Sequence, residues 1–348
     1  MEPIKGVPWN CSNPPARILV VRLQAMGDMV ITLPYVQHLR NLLPPGTRID
    51  LLTRKEVAPI PLSLVLYDSV YEIAGGRNAK LQLLHFLSLV PRLLSRRYNL
   101  VLDLQNNTIS RLARQFIRPQ AWTAFDRYSP LPAGIRTANT ITAIGLWESR
   151  AEVNFMLKDS SFVTPLLLSN GWIQPNQLII LNPAGAFENR NWPILNYLNF
   201  AQLWLQDFPA VQFLMLGDQR LLEKANFLKQ HLGPHLINLV AQTSADQAFA
   251  IIQKVQFILS EDSGLMHMAW VSSIPTLAMF GPSRSDWSRP LGDHSDFMDA
   301  SDLSCGACMK EQCNSEDTGK NLCMTRWTAA EVYQRSQKLL HRIRANTK

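Results

Sequence analysis

The sequence predicts an α/β protein of two doubly wound, Rossmann-like domains with a cleft between them. Three observations predict it. Strand and helix signals alternate in two successive series along 348 residues, the rhythm of a parallel sheet covered by helices. Between the series lies a break: loop-rich residues 119–150, then the linker-like "GWIQPNQ". In the second series, strands end in small or polar residues, where open α/β sheets bind ligands.

Residues 1–15 are polar and proline-containing, without the apolar region of a secretory signal, and predict a loose tail. The first domain spans 16–172. Arg17 to Val21 is a buried-type strand. Val30, Leu33, Val36, Leu39 and Leu43 give a helical stripe over Met29 to Leu43, with Pro34 implying a kink or a late start. Arg48 to Thr53 and Ser69 to Ile73 are strands, and Lys80 to Arg97 is helical. Leu100 to Leu104 is a strand, followed by a helix near Ser110 to Phe116 and another around Ser160 to Asn170.

The second domain spans 173–327. Its strands are Leu178 to Leu181, Val211 to Leu216, Leu236 to Val240, Phe257 to Ser260 and Thr276 to Phe280. Its helices are Tyr197 to Asp207, Leu221 to Leu232 and Ala245 to Lys254. A basic helix over Ala329 to Arg344 ends the chain, within residues 328–348.

Composition narrows the function. Apolar residues make up 47%, enough for sizeable cores, and charged residues only 18%. The net charge of +7 points to an anionic partner. The basic residues form no long block, which argues against nucleic acid. The densest apolar stretch, Leu81 to Leu94, is interrupted by His85, Pro91 and Arg92 and is too short to span a membrane. These features predict a cytoplasmic protein. Arg92, Arg96 and Arg97 lie beside an apolar helix face, and predict peripheral contact with an anionic leaflet.

Three junctions in the second half carry the chemistry: Asn182-Pro-Ala-Gly-Ala with Gly185, Glu261-Asp-Ser-Gly-Leu-Met-His, and Gly281-Pro-Ser. Small residues let the backbone approach a ligand, and the following helix offers unpaired N–H groups to a diphosphate. The ordinary reading of each alone is a tight turn, with Ser263 capping a helix. Together, with Arg190 nearby to pair with phosphate, they favour a nucleotide site. The chain has no G-x-x-x-x-G-K-[ST], no G-x-G-x-x-G and no Asp-x-Asp after a strand to hold Mg²⁺. A departing nucleoside diphosphate would therefore rely on helix N-termini, Arg190 and His267. In the first half, "RLQAMGDMVITLP" places Asp28 behind Gly27 at a strand-to-helix turn. It reads as a helix cap or as a general base for an acceptor hydroxyl, and the two are not exclusive. Arg22, Arg54, Lys55, Arg111 and Arg127, near strand ends, suit an acceptor carrying carboxylates or phosphates.

"ILVVRLQAMGDMVITLP", "LVLDLQNNTISRLA", "IILNPAGAFENRNWP" and "FILSEDSGLMHMAWVSSIPTLAMFGPS" together resemble glycosyltransferase family 9, in order from about residue 16 to 335. The resemblance implies a GT-B fold, with the last helix crossing back towards the first domain. It implies an inverting, metal-independent transfer of heptose from ADP-heptose to a lipopolysaccharide-core or other lipid-linked envelope saccharide. Asp28 matches the family's base, and Asp262, Ser263 and Gly264 match the backbone that holds the donor diphosphate. Arg190 stands where the family usually has lysine, and Asn191 where a basic residue often follows. Glu223 lies in the region of a ribose-binding glutamate without aligning cleanly. The rivals are another nucleotide-sugar transferase or epimerase on the same scaffold, and a non-catalytic saccharide- or nucleotide-sugar-binding protein.

No cofactor is expected for catalysis. Cys305, Cys308, Cys313 and Cys323 put four thiols in 19 residues. That cluster fits either a structural zinc or disulfides, and Cys11 is left over.

Overall fold

The computed structural model describes residues 4–152, 154–185, 191–313 and 320–346. The chain divides into two units after Lys158 rather than at 172.

The first unit runs β1 (Gly6–Val7), β2 (Arg17–Val21), α1 (Met26–Leu42), β3 (Arg48–Arg54), α2 (Pro59–Ser63), β4 (Ser69–Ile73), α3 (Ala79–Ser95), β5 (Leu100–Asp103), α4 (Thr108–Ile117), β6 (Ala121–Ala124) and α5 (Ala133–Thr142). Its sheet order is β1-β6-β5-β2-β3-β4. All neighbours are parallel except β1 against β6. The central strands are apolar runs because helices cover both faces. The chain leaves β2 for β3 on one side, and β5 lies on the other, so the connections reverse between β2 and β5. Val21 pairs with Asp103 there, which sets the carboxyl ends of the two strands level.

Two expectations change in this unit. The predicted loose tail contributes β1, and Trp9 is buried, its backbone N–H donating to the Ile144 carbonyl. A large apolar ring with a place to pack outweighs the polar, proline-rich composition around it. The stretch expected to be loop holds β6 and α5, and α1 packs on α5. α1 also starts at Met26 and runs through Pro34. Pro34 forfeits one helical hydrogen bond, but α1 is buried from Met29 to Val36, and that packing holds the helix.

The second unit runs α6 (Val163–Ser169), β7 (Gln177–Asn182), α7 (Ile194–Asp207), β8 (Val211–Met215), α8 (Leu222–Leu232), β9 (Leu236–Asn238), α9 (Ala245–Ile252), β10 (Phe257–Glu261), α10 (Gly264–Val271), β11 (Thr276–Met279), α11 (Ser285–Ser288), β12 (Ser295–Met298), α12 (Leu322–Thr325) and α13 (Ala329–Asn346). The parallel sheet has the order β12-β11-β10-β7-β8-β9. Its connections reverse between β7 and β10, where Asn182 pairs with Ser260. α13 packs on α7, with Val332 and Leu339 in the same core as Trp204 and Phe257. The helix expected to return towards the first domain thus buries its apolar side in the second unit.

Candidate functional site

Each unit has a concavity at the carboxyl ends of its strands, where its connections reverse. The first encloses about 510 Å³ and is lined by Arg22, Gln24, Asp28, Arg54, Glu56, Gln105, Phe125, Arg127 and Arg136, among others. Asp28 is the third residue of α1, not its cap. One carboxylate oxygen accepts from the Ala25 N–H at 3.1 Å and meets Arg22 Nη2 at 3.0 Å. The side chain is still 42% exposed, so a hydroxyl can reach it. The geometry leaves room for both readings: Asp28 ties down the helix start, and its carboxylate stays within reach of solvent.

Arg22 is fixed from behind. It is buried, donates to the Leu104 carbonyl, and lies 5.1 Å from the centre of the Phe125 ring. Burial lowers its pKa, and Asp28 pulls it back up. Arg136 approaches the same ring, also at 5.1 Å, and burial lowers its pKa too. Arg54 is aimed by Gln24 Oε1 at 3.1 Å, Glu56 at 3.2 Å and the Gly76 carbonyl at 2.6 Å. The turn carrying Asp28 is held by Gln105, whose Oε1 accepts from Leu23 N–H at 2.9 Å and Gln24 N–H at 3.1 Å. That carboxamide reaches from the end of β5 to the end of β2.

Of the expected acceptor residues, Arg22, Arg54 and Arg127 line this concavity with Asp28. Gly27 is the second residue of α1 and Lys55 bonds to β4 through its backbone; neither lines the concavity. Arg111 is placed elsewhere, in a separate hollow with Arg114, Arg118 and Trp122, because it projects from the outer side of α4. Gln105 and Arg136 were not expected. The "LDLQ" strand end pointed to Gln105. Arg136 had no local signal, since it reaches the site from α5.

The second concavity, about 820 Å³, is lined by Ala184, Gly185, Asn191, Gly217, Asp218, Lys224, Thr243, Ser244, Asp262, Ser263, Gly264 and Met268, among others. Its lining mixes small residues at the strand ends, Ala184, Gly185, Gly217, Ser263 and Gly264, with longer ones that include Arg220 and Lys224. Ser263 caps α10 and accepts from Met266 N–H at 3.4 Å. Asn182 Nδ2 donates to both Ser260 and Ser263 hydroxyls at 2.7 Å, locking the two strand ends together. A side-chain carbon on Gly264 would meet nothing within 4 Å. Glycine there leaves the first turn of α10 open, with N–H groups that lack helical partners.

Glu261 sits beneath this wall, fully buried. Its two oxygens accept from Gly185 N–H and Trp192 N–H, each at 2.6 Å, with the Tyr197 hydroxyl at 3.4 Å. Burial pushes this carboxyl up to about 8, while Lys224 and the two N–H donors hold it down. Lys224 donates to the Pro183 carbonyl at 2.8 Å and Asn191 Oδ1 at 2.7 Å, and burial lowers its pKa. It is a fixed cation on the concavity that sequence reasoning passed over.

Gly185, Asp262, Ser263 and Gly264 thus come together as expected. Arg190 lies outside the described residues. Glu223 is exposed and does not line the concavity: one position along α8, Lys224 takes the inward face. His267 is buried, with the Trp270 indole N–H donating to its Nδ1 at 3.2 Å, so it packs within the fold rather than facing a ligand. The cysteines form no disulfide. The thiols of Cys305, Cys308 and Cys313 add to burial in raising Cys323 to about 11. Among the described residues, no group of three or more His, Cys, Asp or Glu side chains is arranged to hold a metal ion.

The family model described as glycosyltransferase family 9 (heptosyltransferase) matches residues 86–318. Lipooligosaccharide heptosyltransferase 2 of Haemophilus ducreyi is 32% identical over 29% of this chain, and that match spans 30% of the relative's length. Lipopolysaccharide heptosyltransferase 1 of Pseudomonas aeruginosa is 22% identical over 93% of this chain and 98% of its own. The structure of Escherichia coli ADP-heptose lipopolysaccharide heptosyltransferase II covers 94% of this chain and 99% of its own, at a TM-score of 0.70 and 19% identity. The α/β architecture with two parallel sheets is that of the GT-B heptosyltransferases. With more than half of its length matched by the family model, the chain belongs to glycosyltransferase family 9, the heptosyltransferases.

Proposed function

We propose that this chain is an inverting glycosyltransferase that moves a heptose-like sugar from ADP-heptose to a lipopolysaccharide-core or other envelope saccharide. One observation carries the reading. The two concavities have complementary chemistry: an open carboxylate ringed by arginines in one, a backbone cradle with a fixed ammonium in the other. Asp28 takes the proton from an acceptor hydroxyl, whose oxygen attacks the anomeric carbon. The bond from that carbon to the diphosphate oxygen breaks, and the nucleoside diphosphate leaves with the electron pair. The N–H groups at the start of α10, Lys224 and Arg190 stabilise its charge. Arg22, Arg54, Arg127 and Arg136 position an acidic acceptor. The adenosine donor is supported by the structural relative from E. coli, which is named for ADP-heptose.

The test is a panel of nucleotides and nucleotide sugars read by thermal shift, followed by turnover with the donors that stabilise. ADP and ADP-linked heptose should raise the melting temperature by mass action. Stabilisation by uridine or guanosine sugars alone, or binding without transfer to any core saccharide, overturns the proposal.

We also propose that Cys305, Cys308, Cys313 and Cys323 close on one structural zinc. Cys305 and Cys308 have the two-residue spacing of a metal-binding pair, and all four thiols fall within 19 residues. The described side chains do not form that site by themselves, so metal uptake would have to draw the thiols together. Elemental analysis of protein purified without chelator should give one zinc per chain. Four titratable thiols and under about a tenth of an equivalent of metal reject it.

A further inference from the structure

α3 is a helix rich in leucine that buries few of its residues: Phe86 and Leu93 alone among its described side chains are fully enclosed. Leu84 is 63% exposed, Leu81 51% and Leu94 44%, and Leu87 is exposed as well. Leu84, Leu87, Pro91 and Leu94 follow one another at three, four and three residues, which places them on a single outward stripe. Exposed Phe116 of α4 continues the apolar surface, its ring 6.4 Å from that of Phe86.

Charge frames this surface. From Ala79 to Gln120 the chain carries Lys80, Arg92, Arg96, Arg97, Arg111, Arg114 and Arg118. Its one acidic residue there, Asp103, is buried and paired with Arg114 at 2.9 Å. Arg96 donates to the Tyr71 hydroxyl at 2.9 Å and Arg92 lies over the Tyr71 ring, 5.2 Å from its centre. Arg97 and Arg118, each in the left-handed conformation just past the end of its helix, are exposed.

We infer that the α3–α4 face docks on a bilayer carrying anionic headgroups. An interfacial helix lies flat with its leucines among the acyl chains and its basic residues at headgroup level. The arginine and lysine stems are long enough to reach phosphates from an apolar seat. Nucleic acid would use the charge but not the leucines. An anionic leaflet uses both the apolar stripe and the excess of basic side chains along one face. The inference rests on no assumption about the sugar transferred.

The experiment is cosedimentation of the full chain with vesicles of phosphatidylethanolamine and phosphatidylglycerol, against vesicles of phosphatidylcholine alone. The chain should pellet with the anionic vesicles and stay soluble with the zwitterionic ones. Leu84→Gln with Leu87→Gln should weaken partitioning by about tenfold or more. Arg97→Gln with Arg118→Gln should weaken it by about fivefold for each charge. Both variants should keep the wild-type melting temperature and ADP-induced stabilisation. Absence of pelleting, or partitioning unchanged in both variants, overturns the inference. So does a wild-type dimer in light scattering that the leucine variant turns into a monomer, since the face would then pair two copies of the chain.

Discussion

The two concavities sit at the same place in two similar sheets, yet are built from different materials. The first is made by long charged side chains, and much of its chemistry lies in what they touch: Arg22 on Leu104 and Phe125, Arg54 on Gln24, Glu56 and Gly76. The second has small residues at its strand ends, with Arg220 and Lys224 among the longer ones on its wall, and is stiffened from beneath by the buried Glu261. A diphosphate offers many acceptor oxygens and suits main-chain N–H groups, which need no side-chain ordering. A saccharide acceptor offers sparse charge in a particular pattern, and a ring of guanidiniums can match it. On the proposed function, one fold would serve both kinds of recognition, with the loops beyond the strands deciding which.

The sharpest way to break this comparison is Asp28→Asn. If the first concavity is where the acceptor loses its proton, turnover should fall by ~10²–10⁴ while ADP-induced stabilisation is unchanged. Near-normal turnover would reduce Asp28 to an anchor of α1. The matching change in the second concavity is Lys224→Met, which keeps the stem and removes the charge. ADP affinity measured by calorimetry should fall by about 1.5–3 kcal/mol, the usual cost of losing a charge-assisted contact. A normal affinity would show that the Lys224 ammonium is dispensable there.

Glu261→Gln tests the stiffening. The carboxyl rises from 4.5 to about 8 on folding. Its stabilising contribution is therefore fully present below pH 4.5 and is lost as pH climbs through about 8. Glutamine stays neutral, so the melting temperature of the wild type relative to the variant should decline across that window. The carboxamide can accept from only one of the Gly185 and Trp192 N–H groups, so ADP affinity should fall as well. Parallel melting curves at all pH values would remove Glu261 from this role. The smallest effects belong to residues the fold sets apart. Arg111→Ala and Glu223→Ala should leave acceptor KM and ADP affinity within about twofold, since surface changes away from a site cost about 0.5 kcal/mol or less.

What could be read from the sequence follows the same division. The second concavity was largely legible because Gly185 and Asp262 to Gly264 sit in short segments at strand ends, where spacing reports position. The strands were legible for a related reason: buried parallel strands are apolar runs. The first concavity was legible at Asp28, Arg22 and Arg54, which follow strands directly. It was not legible at Arg136, since α5 lay in a stretch whose prolines and glycine read as loop. Charge alone could not separate Arg111 from Arg127, because which way a helix turns its side chains depends on packing. On α8, inward and outward differ by one residue, and for that reason Lys224 stands on the concavity where Glu223 was expected.

Gln105 has a consequence for anyone who would move this chemistry to another scaffold. The turn before Asp28 is not self-sufficient: the main chain at Leu23 and Gln24 is held by a carboxamide 81 and 82 positions further along. A graft of "RLQAMGD" alone would carry the carboxylate and leave behind the part that aims it. The transferable module is two segments that never meet in sequence, and a host must supply both at adjacent parallel strands before the aspartate can point anywhere useful.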